Sequence, residues 1–263
     1  MSSILDKIVA HKVGEIADAK AARPLNEVRA AAEQTSSPKD FLAALTTGPQ
    51  ADQVSLIAEV KKASPSKGII REDFCPTTIA SSYALSGASC ISVLTDEHFF
   101  QGSLDYLRDI RAAVDIPLLR KDFILDEYQV FEARAAGADA VLLIAECLTP
   151  GQLKDLHAVI GELKMTALVE LYDSANIEAV LACNPTLVGV NNRDLNTFEI
   201  DLHHSIRVKQ NLPDEIAMVS ESGIFTNDDV QLMAQNKVDA ILVGESLMRS
   251  EDIDQAVRTL LGS

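Results

Sequence analysis

Beyond about residue 55, short apolar runs alternate with longer segments whose apolar residues recur at helical spacing. The runs are "SLIAEV", "CISVLT", "IPLLRK", "DAVLLIA", "TALVEL", "LVGVNN", "IAMVSES" and "DAILVG", eight in all. Most are too short for helices and carry Val, Ile and Leu at successive positions, as strands do in a parallel sheet covered on both faces. Between them lie "TTIASSYALSGA", "SLDYLRDIRAAV", "DEYQVFEARAAG", "TPGQLKDLHAVIGEL", "SANIEAVLAC", "HHSIRVKQN" and "TNDDVQLMAQN", and "EDIDQAVRTLLG" closes the chain. Three of the units, "LSGASCISVL", "AAGADAVLLI" and "NKVDAILVG", use a small or turn-forming phrase to end a helix and enter a strand. Eight such units predict an α/β fold, a (β/α)8 TIM barrel occupying residues 1–263 as one domain. Residues 1–50 form an additional N-terminal helical segment. A doubly wound open sheet is the alternative, but no G-x-G-x-x-G follows the first strand and no linker divides the chain.

The N-terminus, "MSSILDKIVAHKVGEIADAK", reads as an amphipathic helix with Ile4, Ile8 and Val9 spaced for one face. Asp6, Lys7, His11, Lys12 and Glu15 interrupt its apolar stretch, which excludes a signal-peptide core or a membrane-spanning segment.

In a barrel of this kind, chemistry collects at the carboxyl ends of the strands. Those positions hold Glu59 and Lys61, Lys121 with Asp122, Glu146, Glu170, Asn191 to Asp194, Glu221 to Gly223, and Gly244 to Ser246. Any one of them fits a solvated strand end or a structural ion pair equally well. Seven of the eight runs ending this way point to a functional mouth. Glu59 and Lys61 are two apart on a strand and share a face, with Val60 turned the other way. Pro65 then bars Ser64 from the helical region and Gly68 supplies a hinge, so "SPSKG" forms a loop. Glycines in "ESGI" and "LVGESLM" follow strands seven and eight, where bare backbone N–H groups and a following short helix can hold a phosphate.

Composition narrows the classes further. Hydrophobic residues make up 47% of the 263 and charged residues 24%, as in an ordinary folded protein. The formal net charge of −16 repels phosphate backbones, and the scattered Lys and Arg form no basic groove, so a nucleic-acid partner is not expected. Cys75, Cys90, Cys147 and Cys183 share no C-x-x-C spacing and suit a reducing, cytoplasmic setting. His11, His98, His157, His203 and His204 show no ligand spacing, so each is read as a surface residue and no metal is expected.

The segments "IAEVKKASPSKG", "TDEHFFQGS", "LLRKDFI", "ALVEL", "VGVNNRDL", "SESGI" and "LVGESLM" resemble, in order and spacing, the signature segments of the indole-3-glycerol phosphate synthase family. The resemblance spans nearly the whole chain. It implies cyclisation of 1-(2-carboxyphenylamino)-1-deoxyribulose 5-phosphate to indole-3-glycerol phosphate in tryptophan biosynthesis, with loss of carbon dioxide and water and no cofactor. By position it implies that Lys121 is the general acid, that Glu170 transfers protons during dehydration, and that Lys61 is a second essential lysine. Glu59 and Glu221 match supporting carboxylates, and Asn191 a residue that orients substrate. Arg193 and Ser64 fall where the family meets the anthranilate carboxylate, and Phe100 beside the substrate ring. Gly223, Gly244 and Glu245 fall at the phosphate site, with Ser222 counted among the substrate-binding residues. This chain has His98-Phe99 where Lys-Tyr is common and Glu245 where some members have serine. A carboxylate would repel phosphate, so the contact at Glu245 is assigned to its backbone N–H and its side chain is expected to turn outward. The partner is thus a small phosphorylated molecule, and a monomer is expected, with a homodimer as the alternative. The alternatives are a phosphoribosylanthranilate isomerase-like barrel, which should lack "EVKKASPSKG" and "RKDFI", and a non-catalytic barrel that binds a phosphorylated metabolite.

Overall fold

The computed structural model describes residues 3–48, 53–194 and 197–263, so the end of the extension at residue 50 lies outside the described residues. All eight apolar runs are strands: β1 (Ser55–Val60), β2 (Cys90–Leu94), β3 (Leu118–Lys121), β4 (Ala140–Ile144), β5 (Thr166–Leu171), β6 (Leu187–Asn191), β7 (Ala217–Glu221) and β8 (Ala240–Val243). Each pairs in parallel with its neighbours, and β8 returns to β1 from Ser55↔Ala240 to Ala58↔Val243, closing the barrel. The crossover helices lie within two or three residues of their expected bounds. Polar caps explain several starts: Ser103, Asp126 and Asp252 accept backbone N–H bonds, and Thr149 with Gln152 and Thr226 with Asp229 form capping boxes. The segment expected as one helix at 174–183 instead begins with a tight turn, Ser174–Asn176, because Asp173 caps that turn through the Ala175 N–H before Ile177–Leu181 continues.

Side chains on the strands divide by period two into a wall packed on the helices and an interior. Leu56, Ala58, Ile91, Val93, Val141, Leu143, Val169, Val188 and Val190 belong to the wall. Ile57, Leu119, Leu168 and Val219 face inward, all from odd-numbered strands, as the layered filling of such barrels requires. Two residues further along those same four strands stand Glu59, Lys121, Glu170 and Glu221. The polar layer therefore sits on an apolar one by strand geometry alone.

The N-terminal segment straps the barrel from end to end. Its first helix, Ile4–Ala22, lies at the carboxyl mouth, while Tyr128 Oη donates to Ala19 O or Arg23 O (3.1 Å each) and Lys20 pairs with Asp126 at 2.7 Å. The second, Leu25–Gln34, packs along Glu127–Ala135, with Arg29 over the Phe131 ring at 4.6 Å. The third, Phe41–Thr46, closes the opposite end with the fully buried Phe41 and Leu45. Ser55 Oγ donates to Leu45 O at 2.8 Å there. The expected face of the first helix differs in one respect: its buried stripe is Ile8, Lys12 and Ile16, with a lysine at its centre, and Val9 is only half-buried.

Candidate active site

The carboxyl mouth holds a cavity lined by every residue to which the family resemblance gives a catalytic or binding role: Glu59, Lys61, Ser64, Phe100, Lys121, Glu170, Asn191, Arg193, Glu221, Ser222, Gly223, Gly244 and Glu245. Its floor is an ionic cluster. Lys61 Nζ pairs with Glu59 Oε1 at 2.6 Å, and Lys121 Nζ is bonded to Glu221 Oε2, with Glu170 Oε2 at 3.4 Å and Glu59 Oε2 at 3.9 Å. Asn191 Nδ2 donates to Glu170 Oε1 at 3.2 Å and its Oδ1 accepts the Arg193 backbone N–H at 3.0 Å, so β6 fixes both a carboxylate and the turn that carries Arg193.

Burial and charge set the protonation of this floor. Burial disfavours the ammonium of Lys121, but Glu221, Glu170 and Glu59 around it prevail and raise its pKa. For Glu59, burial favours the neutral acid, yet Lys61 and Lys121 outweigh it and hold the carboxylate below its usual range. Glu221 goes the other way: burial and the nearby Glu170 push it up to about 8 despite Lys121. Its Oε1 is buried with no hydrogen-bond partner among the described residues. At neutral pH the floor thus keeps an ammonium at Lys121 and a carboxylate at Glu59 beside Glu221, whose carboxyl favours its acid form. Acid and base forms stand side by side, which is what proton transfer needs.

Two glycines leave room for this cluster. A Cβ at Gly189 would lie 2.4 Å from Glu221 Oε1, and one at Gly244 would lie 2.5 Å from Glu59 Oε1. Gly244 therefore serves Glu59 as well as the turn before the short helix Glu245–Met248. Ser222 and Gly223 both adopt left-handed backbone (φ 68° and 81°), which is costly for serine and held here by Asn192, whose Nδ2 donates to Ser222 O at 3.1 Å.

The loops complete the walls. "SPSKG" folds as a small hairpin pairing Ala63–Ser64 with Gly68–Ile69, which brings Ser64 to the cavity edge. Asp96 caps the helix Glu97–Phe100, and the Phe100 ring stands 6.1 Å from that of Phe123. The side chain of Glu245 corrects the expectation that it turns outward: it is only 19% exposed and lies between Arg193 Nη2 (3.4 Å) and Arg249 Nε (3.2 Å). A cation on either side holds it in, since both guanidinium groups are within reach of its helix start.

Other strand-end residues have structural work. Glu146 Oε1 accepts from Tyr172 N, Asp173 N and Asn176 Nδ2, and Asn192 bonds Ser205, Ser220 and Ser222. Of the histidines, His204 is half-buried against Tyr172, while His11 and His98 stack on each other at 4.2 Å on the exposed side of the mouth. No group of three or more His, Cys, Asp or Glu among the described residues could hold a metal ion. Sequence reasoning missed the apolar walls from Ile4, Leu5 and Ile8 and from Phe198 and Phe225. The periodicity that places Ile4 and Ile8 on one helix face does not say which end of the barrel that face covers.

Comparison with known proteins agrees with this geometry. Residues 5–260 match the model of the family described as indole-3-glycerol phosphate synthase. The chain is 54% identical to an indole-3-glycerol phosphate synthase from Rhodopirellula baltica, covering 99% of this chain and 100% of the relative. It is 49% identical to another of that name from Polaromonas naphthalenivorans, with 100% of each chain covered. Among solved structures, a 3-hexulose-6-phosphate synthase (TM-score 0.65, 13% identity, 80% of this chain and 99% of that one) shares the fold. So does a KGPDC from Streptococcus mutans (TM-score 0.61, 15% identity, 79% and 95%). No helix among the described residues is long and apolar enough to cross a membrane.

Proposed function

The chain belongs to the indole-3-glycerol phosphate synthase family, and we propose that the mouth residues divide that family's ring closure among themselves as follows. The reaction converts 1-(2-carboxyphenylamino)-1-deoxyribulose 5-phosphate to indole-3-glycerol phosphate, carbon dioxide and water. Lys121 is the general acid. As the aromatic carbon attacks the ketone carbon, negative charge grows on the carbonyl oxygen, and the Lys121 ammonium, held among Glu59, Glu170 and Glu221, is placed to donate there. The carbon–carboxylate bond then breaks, its electron pair restores the ring, and carbon dioxide leaves. Dehydration follows. The hydroxyl departs as water with a proton from Lys61, and Glu170, oriented by Asn191, takes the proton whose loss completes the indole.

Binding falls to the rim. Gly223, Ser222, Gly244 and the backbone N–H of Glu245 receive the phosphate at the start of a short helix, and Arg193 with Ser64 meets the anthranilate carboxylate. Phe100 lies along the substrate ring. The observation that carries this reading is Lys121 at the centre of Glu59, Glu170 and Glu221, a cation that cannot fall idle on a solvated rim because its surroundings are buried. Four free cysteines support a reducing cytoplasm, and a single chain supplying every proposed residue supports a working monomer.

Incubation of the pure protein with the carboxyphenylamino sugar phosphate, followed by indole absorbance, tests the activity. Lys121→Met tests the role: turnover should fall by at least about 10², because the thioether has no proton to donate. Lys121→Arg keeps the charge but not the shape or the donor strength. A fully active arginine variant would reduce Lys121 to an electrostatic contact and move the acid to Lys61.

A further inference from the structure

Lys12 is the most deeply buried cation among the described residues, and the mechanism leaves it without a task. It is 1% exposed, in the middle of the first helix, and its ammonium is 2.9 Å from Asp96 Oδ2, 2.9 Å from Asp122 Oδ1 and 2.9 Å from Glu15 Oε2. Asp96 and Asp122 are themselves buried, so water does not screen this contact. A lysine this costly to desolvate is out of place as a mere fastener for a surface helix, where apolar residues would serve better.

Its partners lead to the cavity. Asp122 directly follows Lys121, and its carboxylate also accepts from Arg120 Nη2 (3.0 Å), Thr95 Oγ1 (2.7 Å) and the Phe123 N–H (2.8 Å). Asp96 uses its other oxygen, Oδ1, to cap the helix that ends in Phe100, accepting from Phe99 N (2.8 Å) and Phe100 N (3.2 Å). Lys12 lies one turn after Ile8, which with Ile4 and Leu5 walls the cavity. One ammonium thus joins three parts of the mouth: the end of β3, the cap below Phe100 and the covering helix. The stacked rings of His11 and His98 join the same two helices from outside.

We propose that Lys12 is a positioning residue for ring closure, which holds the end of β3 that bears Lys121, the Phe100 turn and the apolar cover formed by Ile4, Leu5 and Ile8 in one fixed arrangement. It touches neither substrate nor the reacting atoms and acts through Asp122 and Asp96. The inference rests on the reading of Lys121 and Phe100 given above. Without Lys12 the two aspartates repel each other, the helix loses its inward anchor, and acid and ring wall no longer keep their spacing. A misplacement of about 1 Å between such groups costs up to about 10² in rate.

The test compares Lys12→Met with Arg134→Met in the full chain. Arg134 is a second buried cation that ties the extension down away from the mouth, donating to Ser36 O and Ala138 O. Both variants should melt below the parent. At a temperature well under both transitions, Lys12→Met should lower kcat by about tenfold and raise KM by about tenfold, whereas Arg134→Met should keep both within about twofold. Lys12→Met with kcat and KM within twofold of the parent, despite a lowered melting temperature, would overturn the proposal and leave Lys12 a stabilising contact only. If Lys12→Met does not fold, Asp96→Asn keeps the capping oxygen and removes one of the two buried charges, and should raise KM by about threefold. An unchanged KM in that variant overturns the proposal equally. The parent and Lys121→Met, assayed alongside, report separately on the reading of the site: an inactive parent or a fully active Lys121→Met would sink that reading, independently of the ratio that judges Lys12.

Discussion

Glu221→Gln tests the protonation of the floor, because it keeps the shape of the side chain and removes its titration. In the folded protein this carboxyl is 1% exposed, and burial together with Glu170 raises it from 4.5 to about 8. An acid raised by folding gives stability that is fully present below its unfolded value and is lost as pH rises through its folded one. The window here runs from about 4.5 to about 8. Its full width corresponds to roughly 5 kcal/mol, and the pull of Lys121 on the ionised form is already contained in that raised value. For a chain of this size each kcal/mol is about 2–4 °C in melting temperature. Relative to the parent, Glu221→Gln should therefore gain about 5 °C or more between pH 5 and pH 8.5 at constant ionic strength. The same proton governs activity. Ionisation adds a negative charge to a floor that must accept a substrate carrying a carboxylate and a phosphate, so kcat/KM of the parent should fall above about pH 8. The variant should lose that alkaline limb. Melting curves that run parallel for the two proteins across this range would show Glu221 ionised at pH 5 and refute the reasoning.

Two further substitutions probe neighbouring claims. Glu170→Gln keeps the hydrogen bond to Asn191 Nδ2 and removes the base, so kcat should fall by about 10² to 10⁴ with KM little changed; lost affinity with intact turnover would reverse the assignment. Gly244→Val places a side chain against Glu59 as well as over the phosphate turn, so kinetics should show a raised KM and a lowered kcat together. A variant that keeps both values would exclude Gly244 from either task.

The parts of this site legible in the sequence are those set by period two and by strand order. Glu59, Lys121, Glu170 and Glu221 each end an apolar run, and a closed barrel aligns those ends whatever the loops do. Lys12 was illegible for the opposite reason. A charged residue amid the polar positions of an amphipathic helix reads as solvated, and only its distant partners Asp96 and Asp122, met across the fold, turn it inward. Glu245 follows the same logic at the rim. The phosphate site implied by the family resemblance set its carboxylate against a phosphate and sent it to solvent, whereas Arg193, brought over from the turn after β6, gives it a partner at 3.4 Å.

That pairing bears on how the two ends of the substrate are received. Arg193 spends part of its charge on Glu245, and Glu245 also engages Arg249, so the rim carries two cations bridged by one carboxylate. On the proposed reading of the rim, a substrate with a carboxylate at one end and a phosphate at the other draws Arg193 toward itself while the Glu245 backbone N–H receives the phosphate. The carboxylate that looked like an obstacle in the sequence is then the group that keeps Arg193 in place until the substrate arrives. On the same reading, repulsion at the phosphate stays small because Arg249 holds the other oxygen of Glu245, and the N–H at the start of Glu245–Met248 supplies the attraction.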